Sequence, residues 1–299
     1  MTEVEYFSRQ DAVAFAHALV AFVAHERGFR ALSIKGFTMS HYGLRAERTY
    51  ADADVWVDPQ SLDALIDALS EYGWTERYER VTARILPDHS RTLIHDQWPC
   101  DIDLHWFFPG SFARPDQAFD YIWSSRSKHN IASTPIEIPS REVCTVIGLL
   151  HTLRHPDSPL HRSELEAICN AISHLDAEDT RGVAKAAEDL QALYVVKRTL
   201  SDLGIDTPEQ ETTDEAKYRW KIYTLTHDNG STGAWLYAFR SAPFRNRPEI
   251  LWRALYPTRQ EIEREMRRKI TTKEASRYRL LRLAKGVKNF PRAFANIST

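Results

Sequence analysis

The sequence has little of what marks several large classes of protein. Only three cysteines occur in 299 residues, widely spaced and without a CxxC pair, at Cys100, Cys144 and Cys169. This spacing argues against a disulfide framework and a structural zinc site, so we expect free thiols in a reducing compartment. Glycine is scarce at 11 residues, and with 14 prolines the composition excludes a collagen-like or low-complexity chain. Gly-x-Ser-x-Gly and Walker A motifs are also absent, so serine-hydrolase and P-loop chemistry have no support.

Long hydrophobic runs are missing as well. The longest one near the amino terminus covers residues 12–24, but His17 interrupts it and charged residues follow it. It is too short to cross a bilayer. The first residues are acidic and contain no uninterrupted apolar run, so we expect no signal peptide and a cytoplasmic location.

The chain as a whole has no large excess of charge, with 39 basic and 41 acidic residues. The distribution is uneven, because 16 basic residues and only 5 acidic ones follow from Arg240 onward. We call residues 240–299 the basic tail. Its interleaved apolar and aromatic residues allow three interpretations. The tail lies on an anionic membrane surface, it binds the phosphates of RNA or DNA, or it docks on the acidic remainder of the chain.

Hydrophobic periodicity predicts an α+β fold. Short apolar runs predict strands, and apolar residues at helical spacing predict helices between them. The predicted strands are 31–34, 53–57, 91–97 and 100–108, and the predicted helices are 10–27, 37–44 and 61–73. From about Ser140 only helical patterns follow. We therefore predict a small mixed-sheet domain at 1–135 and a mainly helical domain with the basic tail at 136–299, divided near the proline-containing stretch 132–140.

Carboxylates are concentrated on two of the predicted strands. Asp52 and Asp54 have i and i+2 spacing, so on a strand they project from the same face. In the strand 100–108, apolar residues alternate with a polar set made of Asp101, Asp103 and His105. Clustered carboxylates repel one another, and a divalent cation such as Mg²⁺ relieves that cost while bridging to substrate phosphates. Asp101 and Asp103 are both candidates for a third carboxylate beside the Asp-x-Asp pair.

A candidate phosphate-binding turn precedes the first carboxylates. Gly36 stands where a strand gives way to a helix, so the backbone can approach a phosphate closely there. Lys35, Arg45 and Arg48 carry positive charge that could neutralise a triphosphate. For each arginine, a surface position paired with Glu47 or with solvent is an equally good interpretation.

These residues resemble a known family. The segments KGFTMSHYGLRAERTYADADVWVDP (35–59) and CDIDLHW (100–106) look like the uncharacterised nucleotidyltransferase family of the DNA polymerase β superfamily. Its pattern is Lys-Gly, a prominent Arg, Asp-x-Asp, and later a hydrophobic-Asp-Leu-His-Trp strand. The resemblance extends more loosely across the whole chain, and includes the helical C-terminal half and LYPTRQEIEREMRRK (255–269).

The resemblance implies a minimal nucleotidyltransferase core in which Asp52, Asp54 and Asp103 bind Mg²⁺ or Mn²⁺. Gly36 would stand for the Gly-Ser signature of the wider superfamily. The serine that usually follows the glycine is Phe37 here, so Thr38 or Ser40 would have to supply the hydroxyl. The implied substrate is an NTP, with ATP as the expected one, and Lys35, Gly36, Thr38, Arg45 and Arg48 are the expected nucleotide-binding residues.

Four histidines have more than one possible role. His105 shares the carboxylate face, where we expect it to orient a neighbouring carboxylate rather than to touch the substrate. His151, His155 and His161 form a second group, for which a structural role is the better interpretation. A metal site is the alternative for that group, because His151 and His155 are at i and i+4 on a helix. Arg154 with His161 also faintly resembles the Arg and His pairing of small helical ribonucleases.

We therefore predict a Mg²⁺-dependent nucleotidyltransferase that moves a nucleoside monophosphate from an NTP to an acceptor and releases pyrophosphate. Asp103 is the candidate general base by position. A peptide or protein, a small molecule and an RNA end all remain possible acceptors. Two alternatives stay open. One is a non-catalytic relative that binds nucleotide or a partner, which the Phe37 departure favours, and the other is a toxin-type enzyme that modifies tRNA.

Overall fold

The computed structural model describes residues 8–77, 88–228, 232–266 and 268–298. Its main feature is a five-stranded mixed sheet, in the order β1 (Ala31–Ser33), β2 (Asp52–Val57), β5 (Asp101–His105), β4 (Ser90–Ile94) and β3 (Thr75–Glu76). Strands β2 and β5 are parallel, and the other neighbours are antiparallel. The four predicted strands are present. The two-residue strand β3 was not predicted, because it is too short to show an alternating pattern.

Side-chain alternation gives the two faces of the sheet different partners. Ala53, Val55 and Val57 pack in one buried cluster with residues of α1 (Arg9–Arg27) and α3 (Leu62–Ser70). Asp54 and Trp56 therefore point to the opposite face. On β5, Ile102 and Leu104 belong to the first cluster, so its carboxylates share the second face with Asp54. On the central strands β2 and β5, the sheet thus has one apolar face and one that combines core with charge.

Helices that follow β5 along the chain cover the second face. Trp56 packs with Val146 and Ile147 of α5 (Arg141–Leu153) in a large buried cluster. Ser140 begins α5 by accepting a hydrogen bond from the backbone N–H of Val143. The same cluster includes residues from α4 (Pro115–Ser124), α6 (Pro159–Ser173), α7 (Ala177–Asp189) and α8 (Leu193–Asp202). These helices therefore share one core with the sheet.

A hairpin occupies the stretch that was predicted to separate two domains. It consists of β6 (Ser127–Ile131) and β7 (Thr134–Ile138), joined through Ala132 and Ser133, which both have positive φ. The pattern Thr-Pro-Ile-Glu-Ile alternates as a strand does, but its proline favoured a linker interpretation. Proline is tolerated here because a two-stranded hairpin has free edges. The predicted domain division at residue 135 stays a prediction, and the first compact unit extends over 8–77 and 89–211.

Within the described residues, the second compact unit consists of Asp88 and residues 212–298, and it is helical wherever it has regular structure. Its elements are α9 (Asp214–Asp228), α10 (Thr232–Ser241), a 3-10 helix (Phe244–Asn246), α11 (Arg247–Leu255), α12 (Arg259–Met266) and α13 (Thr272–Ser298). Within the described ranges, no helix has the combined length and apolar character that a bilayer crossing requires. The mixed sheet followed by a helical C-terminal region confirms the predicted α+β class.

Candidate active site

The charged part of the second face lies on the parallel strand pair. The register places Asp52 beside Asp101 and Asp54 beside Asp103. Paired residues of neighbouring parallel strands project to the same side of a sheet, so these four carboxylates and His105 share one face. The structure therefore brings the two predicted acidic segments together.

Asp54 is at the centre of this group and is buried. The Lys35 ammonium donates a hydrogen bond to Asp54 Oδ1 at 2.6 Å, and His105 Nε2 donates to the same oxygen at 2.8 Å. Burial by itself would raise the pKa of Asp54, but the Lys35 charge and the His105 hydrogen bond outweigh it and hold the pKa well below its usual range. Asp54 is thus ionised at neutral pH. The contact from His105 confirms the expectation that this histidine orients a carboxylate.

Asp52 and Asp103 have the opposite perturbation. Burial, followed by repulsion from Asp54, raises the pKa of Asp52 to about 7. The same two causes, in the same order, raise the pKa of Asp103. Asp103 Oδ1 is buried and has no hydrogen-bond partner among the described residues. A buried carboxylate oxygen without a partner is costly, and a bound cation would remove that cost.

The donor atoms here fit a divalent cation. Asp54, Asp103 and His105 each offer one ligand atom, and these atoms lie within 4.8 Å of one another. The two carboxylate oxygens suit Mg²⁺ or Mn²⁺, with Asp52 next to them on the same face, while His105 is engaged as a hydrogen-bond donor to Asp54. Asp101 is engaged elsewhere, because Arg77 Nη2 binds its Oδ2 at 2.6 Å. The geometry favours Asp103 over Asp101 as the third carboxylate, and the ligand roles stay predictions.

The turn between β1 and α2 (Gly36–His41) places Lys35 beside Asp54. Lys35 has φ 54° and Gly36 has φ 35°, so two successive residues adopt positive φ. A side chain at position 36 would be strained for this reason. Thr38 is fully buried, and its hydroxyl donates to the Ser33 carbonyl at 3.3 Å. Phe37 packs against apolar residues of the β6–β7 hairpin and against the His17 ring. The phenylalanine that stands where the wider superfamily has serine is therefore part of the apolar packing around this turn.

Arg45 and Arg48 share a partner that the sequence did not indicate. Arg45 Nη1 and Arg48 Nη2 bind the same oxygen of Glu164 on α6, at 3.0 and 2.8 Å. Arg45 and Glu164 are both buried, and the Arg45 guanidinium lies 4.9 Å from the centre of the Tyr50 ring. Glu164 stands four residues before buried Ile168, so it lies on the apolar face of its helix. In the sequence, the only sign that Glu164 has a buried partner is its position on the apolar face of a predicted helix.

The second group of histidines packs ring against ring. The centres of the His151 and His161 rings are 4.7 Å apart, and those of His155 and His161 are 5.4 Å apart. Arg154 Nε donates to His155 Nε2 at 3.1 Å, and Arg154 Nη1 lies 3.4 Å from His89 Nε2. Burial, then the nearby Lys35 charge, lowers the pKa of His151 well below its usual value. Within the described part of the chain, the group with metal-ligand spacing does not include these histidines.

The fold and the site together define a class of protein. A mixed sheet with an Asp-x-Asp strand, a parallel strand that carries a third carboxylate and a Lys-Gly turn is the arrangement of a nucleotidyltransferase. The chain belongs to the uncharacterised nucleotidyltransferase family, whose model matches residues 8–202. The match contains every predicted site residue and confirms the resemblance drawn from the sequence.

Comparison with known structures found distant similarities to proteins of this class. The antibiotic-resistance factor ANT(2″)-Ia is 16% identical, with a TM-score of 0.43, and the match covers 65% of this chain and 99% of that one. A nucleotidyltransferase-like protein from Paracoccidioides brasiliensis is 14% identical, with a TM-score of 0.40, covering 67% and 96%. The lincosamide antibiotic adenylyltransferase LnuA is 14% identical, with a TM-score of 0.33, covering 63% and 99%. No curated protein matches the chain.

The raised pKa of Asp52 predicts a pH-dependent stability. Because the folded-state pKa of about 7 lies above the ordinary 3.8, the contribution of Asp52 to the stability of the metal-free protein falls as the pH rises from 3.8 to about 7. We expect wild type to lose free energy of unfolding relative to Asp52→Asn over this range and to show a constant difference above it. Urea denaturation at several pH values measures this difference. The exposed carboxylate Asp67 supplies the control Asp67→Asn, and an equal pH trend for both variants would contradict the assignment.

Proposed function

We propose that this protein transfers a nucleoside monophosphate from an NTP to an acceptor, releases pyrophosphate and requires Mg²⁺ or Mn²⁺. The observation that carries the proposal is the buried group of Asp54, Asp103 and His105, in which one carboxylate is held ionised and another has an oxygen without a partner. We expect ATP to be the nucleotide. The three free cysteines support a reducing compartment such as the cytoplasm.

In the proposed reaction, the chain's own residues act mainly by position and charge. The cation would be held by Asp54 and Asp103, with Asp52 beside them, and would stabilise the charge on the attacking and leaving oxygens. Lys35, held next to Asp54, supplies positive charge to the triphosphate, and Gly36 lets the backbone approach it. Arg45 is buried in its ion pair with Glu164, whereas Arg48 binds the same carboxylate from an exposed position and is the arginine better placed to contact an anionic group.

The proposed chemical step forms one bond and breaks one. A nucleophilic oxygen or nitrogen of the acceptor attacks the α-phosphorus, the bond from that phosphorus to the bridging oxygen breaks, and pyrophosphate leaves with the electron pair. Asp103 is the candidate, by its position, to take the proton of the nucleophile. The acceptor is a peptide or protein, a small molecule or an RNA end.

Nucleotide and metal binding test this proposal without knowledge of the acceptor. We expect Mg²⁺ with the correct NTP to raise the free energy of unfolding by about 2.7 kcal/mol at a ligand concentration of about 100 Kd. Thermal unfolding of the full chain with each of the four NTPs, with and without Mg²⁺ or Mn²⁺, measures the effect. A stability that responds to neither metal nor nucleotide would overturn the proposal.

Turnover is tested separately. Pyrophosphate release across a panel of peptides, tRNA and small hydroxyl or amine compounds identifies the acceptor class. Binding of nucleotide without release on any acceptor would favour the non-catalytic relative. Release with tRNA alone would favour the tRNA-modifying alternative.

A further inference from the structure

One face of α13 exposes a continuous stripe of large apolar side chains. The residues are separated by three or four positions, which places them along one side of a helix. Their exposed fractions lie between 45 and 67%, and they are Leu280, Leu283, Val287, Phe290 and Phe294. The last of them also contacts α10, since the Arg240 guanidinium lies 5.5 Å from the centre of the Phe294 ring. An adjacent side of the helix is buried, at Ala275 and Ala293. The stripe is thus a distinct outward surface of the helix.

The exposed basic residues of α13 lie mainly on the side of the helix that faces away from this stripe. Lys273, Arg277, Lys285 and Lys288 are exposed, and none has an ion-pair partner in the ranges that the structure describes. After Glu274 the sequence contains no further acidic residue. Arg279 and Arg282 point elsewhere, since they donate to the backbone carbonyls of Pro257 and Ala254. These two bonds link α13 to the end of α11 and the segment after it.

We propose that this face of α13 binds the surface of a membrane that contains anionic lipid, with the helix lying in the plane of the interface. In this arrangement an aliphatic and aromatic stripe enters the acyl boundary, while the basic residues on the polar side of the helix attract anionic headgroups. Nucleic acid explains the basic residues but gives no role to exposed Leu280 and Val287, because phosphates and bases bind charge and aromatic rings. Pairing with a second copy of α13 would bring together two helices that carry the same excess of positive charge.

Vesicle sedimentation of the full chain tests the proposal. We expect wild type to pellet with vesicles of phosphatidylcholine and phosphatidylserine, to bind pure phosphatidylcholine vesicles more weakly, and to lose binding as salt is added. The double variant Leu280→Glu, Val287→Glu should reduce the partition coefficient by about tenfold or more, and Lys285→Glu, Lys288→Glu should do so selectively for the anionic vesicles. All four positions are exposed, so circular dichroism should show an unchanged fold.

Phe22 on α1 provides a matched control, because it is a large apolar residue with a similar exposed fraction of 49%. Phe22→Glu should bind vesicles as wild type does. Wild type that stays in the supernatant with both kinds of vesicle overturns the proposal. So does retention of tRNA without vesicle binding, or a dimer without vesicle binding that the Leu280→Glu, Val287→Glu variant converts to monomer. The vesicle experiment uses no nucleotide, so its outcome is independent of the proposed transferase activity.

Discussion

Asp54→Asn is expected to lower the kcat of nucleotidyl transfer by roughly 10³-fold or more, while the chain remains folded. Asparagine has nearly the same shape as aspartate, but it removes the negative charge that the Lys35 ammonium and His105 contact at 2.6 and 2.8 Å. It also removes a carboxylate oxygen from the group suited to a divalent cation. Pyrophosphate release measures turnover, and titration of Mn²⁺ followed by its spin resonance measures binding of the cation.

Asp101→Asn is the matched control for this variant. Asp101 shares the strand and the face of Asp103 but is paired with Arg77 near the surface. An exposed ion pair contributes little, so we expect activity within about threefold of wild type. Asp103→Asn should resemble Asp54→Asn, because Asp103 belongs to the same buried group. A large loss of activity in Asp101→Asn with little loss in Asp103→Asn would show that Asp101, and not Asp103, is the third carboxylate.

Glu164→Ala should destabilise the protein by about 3–5 kcal/mol, the cost of removing one member of a buried ion pair. Glu164 is 6% exposed, and its loss leaves the Arg45 guanidinium, at 9% exposure, buried without its partner. The exposed side chain of Arg48 also loses its contact with Glu164. Urea denaturation of the full chain measures the change. The transition to follow is that of the first compact unit, which contains Glu164.

Two variants decide whether the effect comes from the buried charge. Glu166→Ala changes an exposed glutamate on the same helix, and we expect a change within about 0.5 kcal/mol. Arg45→Met with Glu164→Met removes both buried charges and keeps side-chain volume, so it should recover much of the lost stability. Equal destabilisation by Glu164→Ala and Glu166→Ala would show that the ion pair does not contribute.

Much of this architecture follows from local patterns. The alternation of Asp101, Asp103 and His105 with apolar residues predicts one polar and one apolar face of β5, and the structure has them. The i and i+2 spacing predicts that Asp52 and Asp54 share a face. The Lys-Gly turn and the Asp-Leu-His-Trp strand are sufficient to place the chain in its family. Local periodicity and short motifs carry this information, because both depend on neighbours along the chain.

Other features depend on contacts between distant residues. Both arginines bind Glu164, a residue more than a hundred positions away, and no spacing along the chain indicates that pairing. The choice between Asp101 and Asp103 rests on Arg77, which the sheet brings beside Asp101. The sequence by itself therefore determined the class of fold and the face that carries the charge. Only the tertiary structure decided which charges neutralise each other, because ion pairing depends on distance in space and on burial.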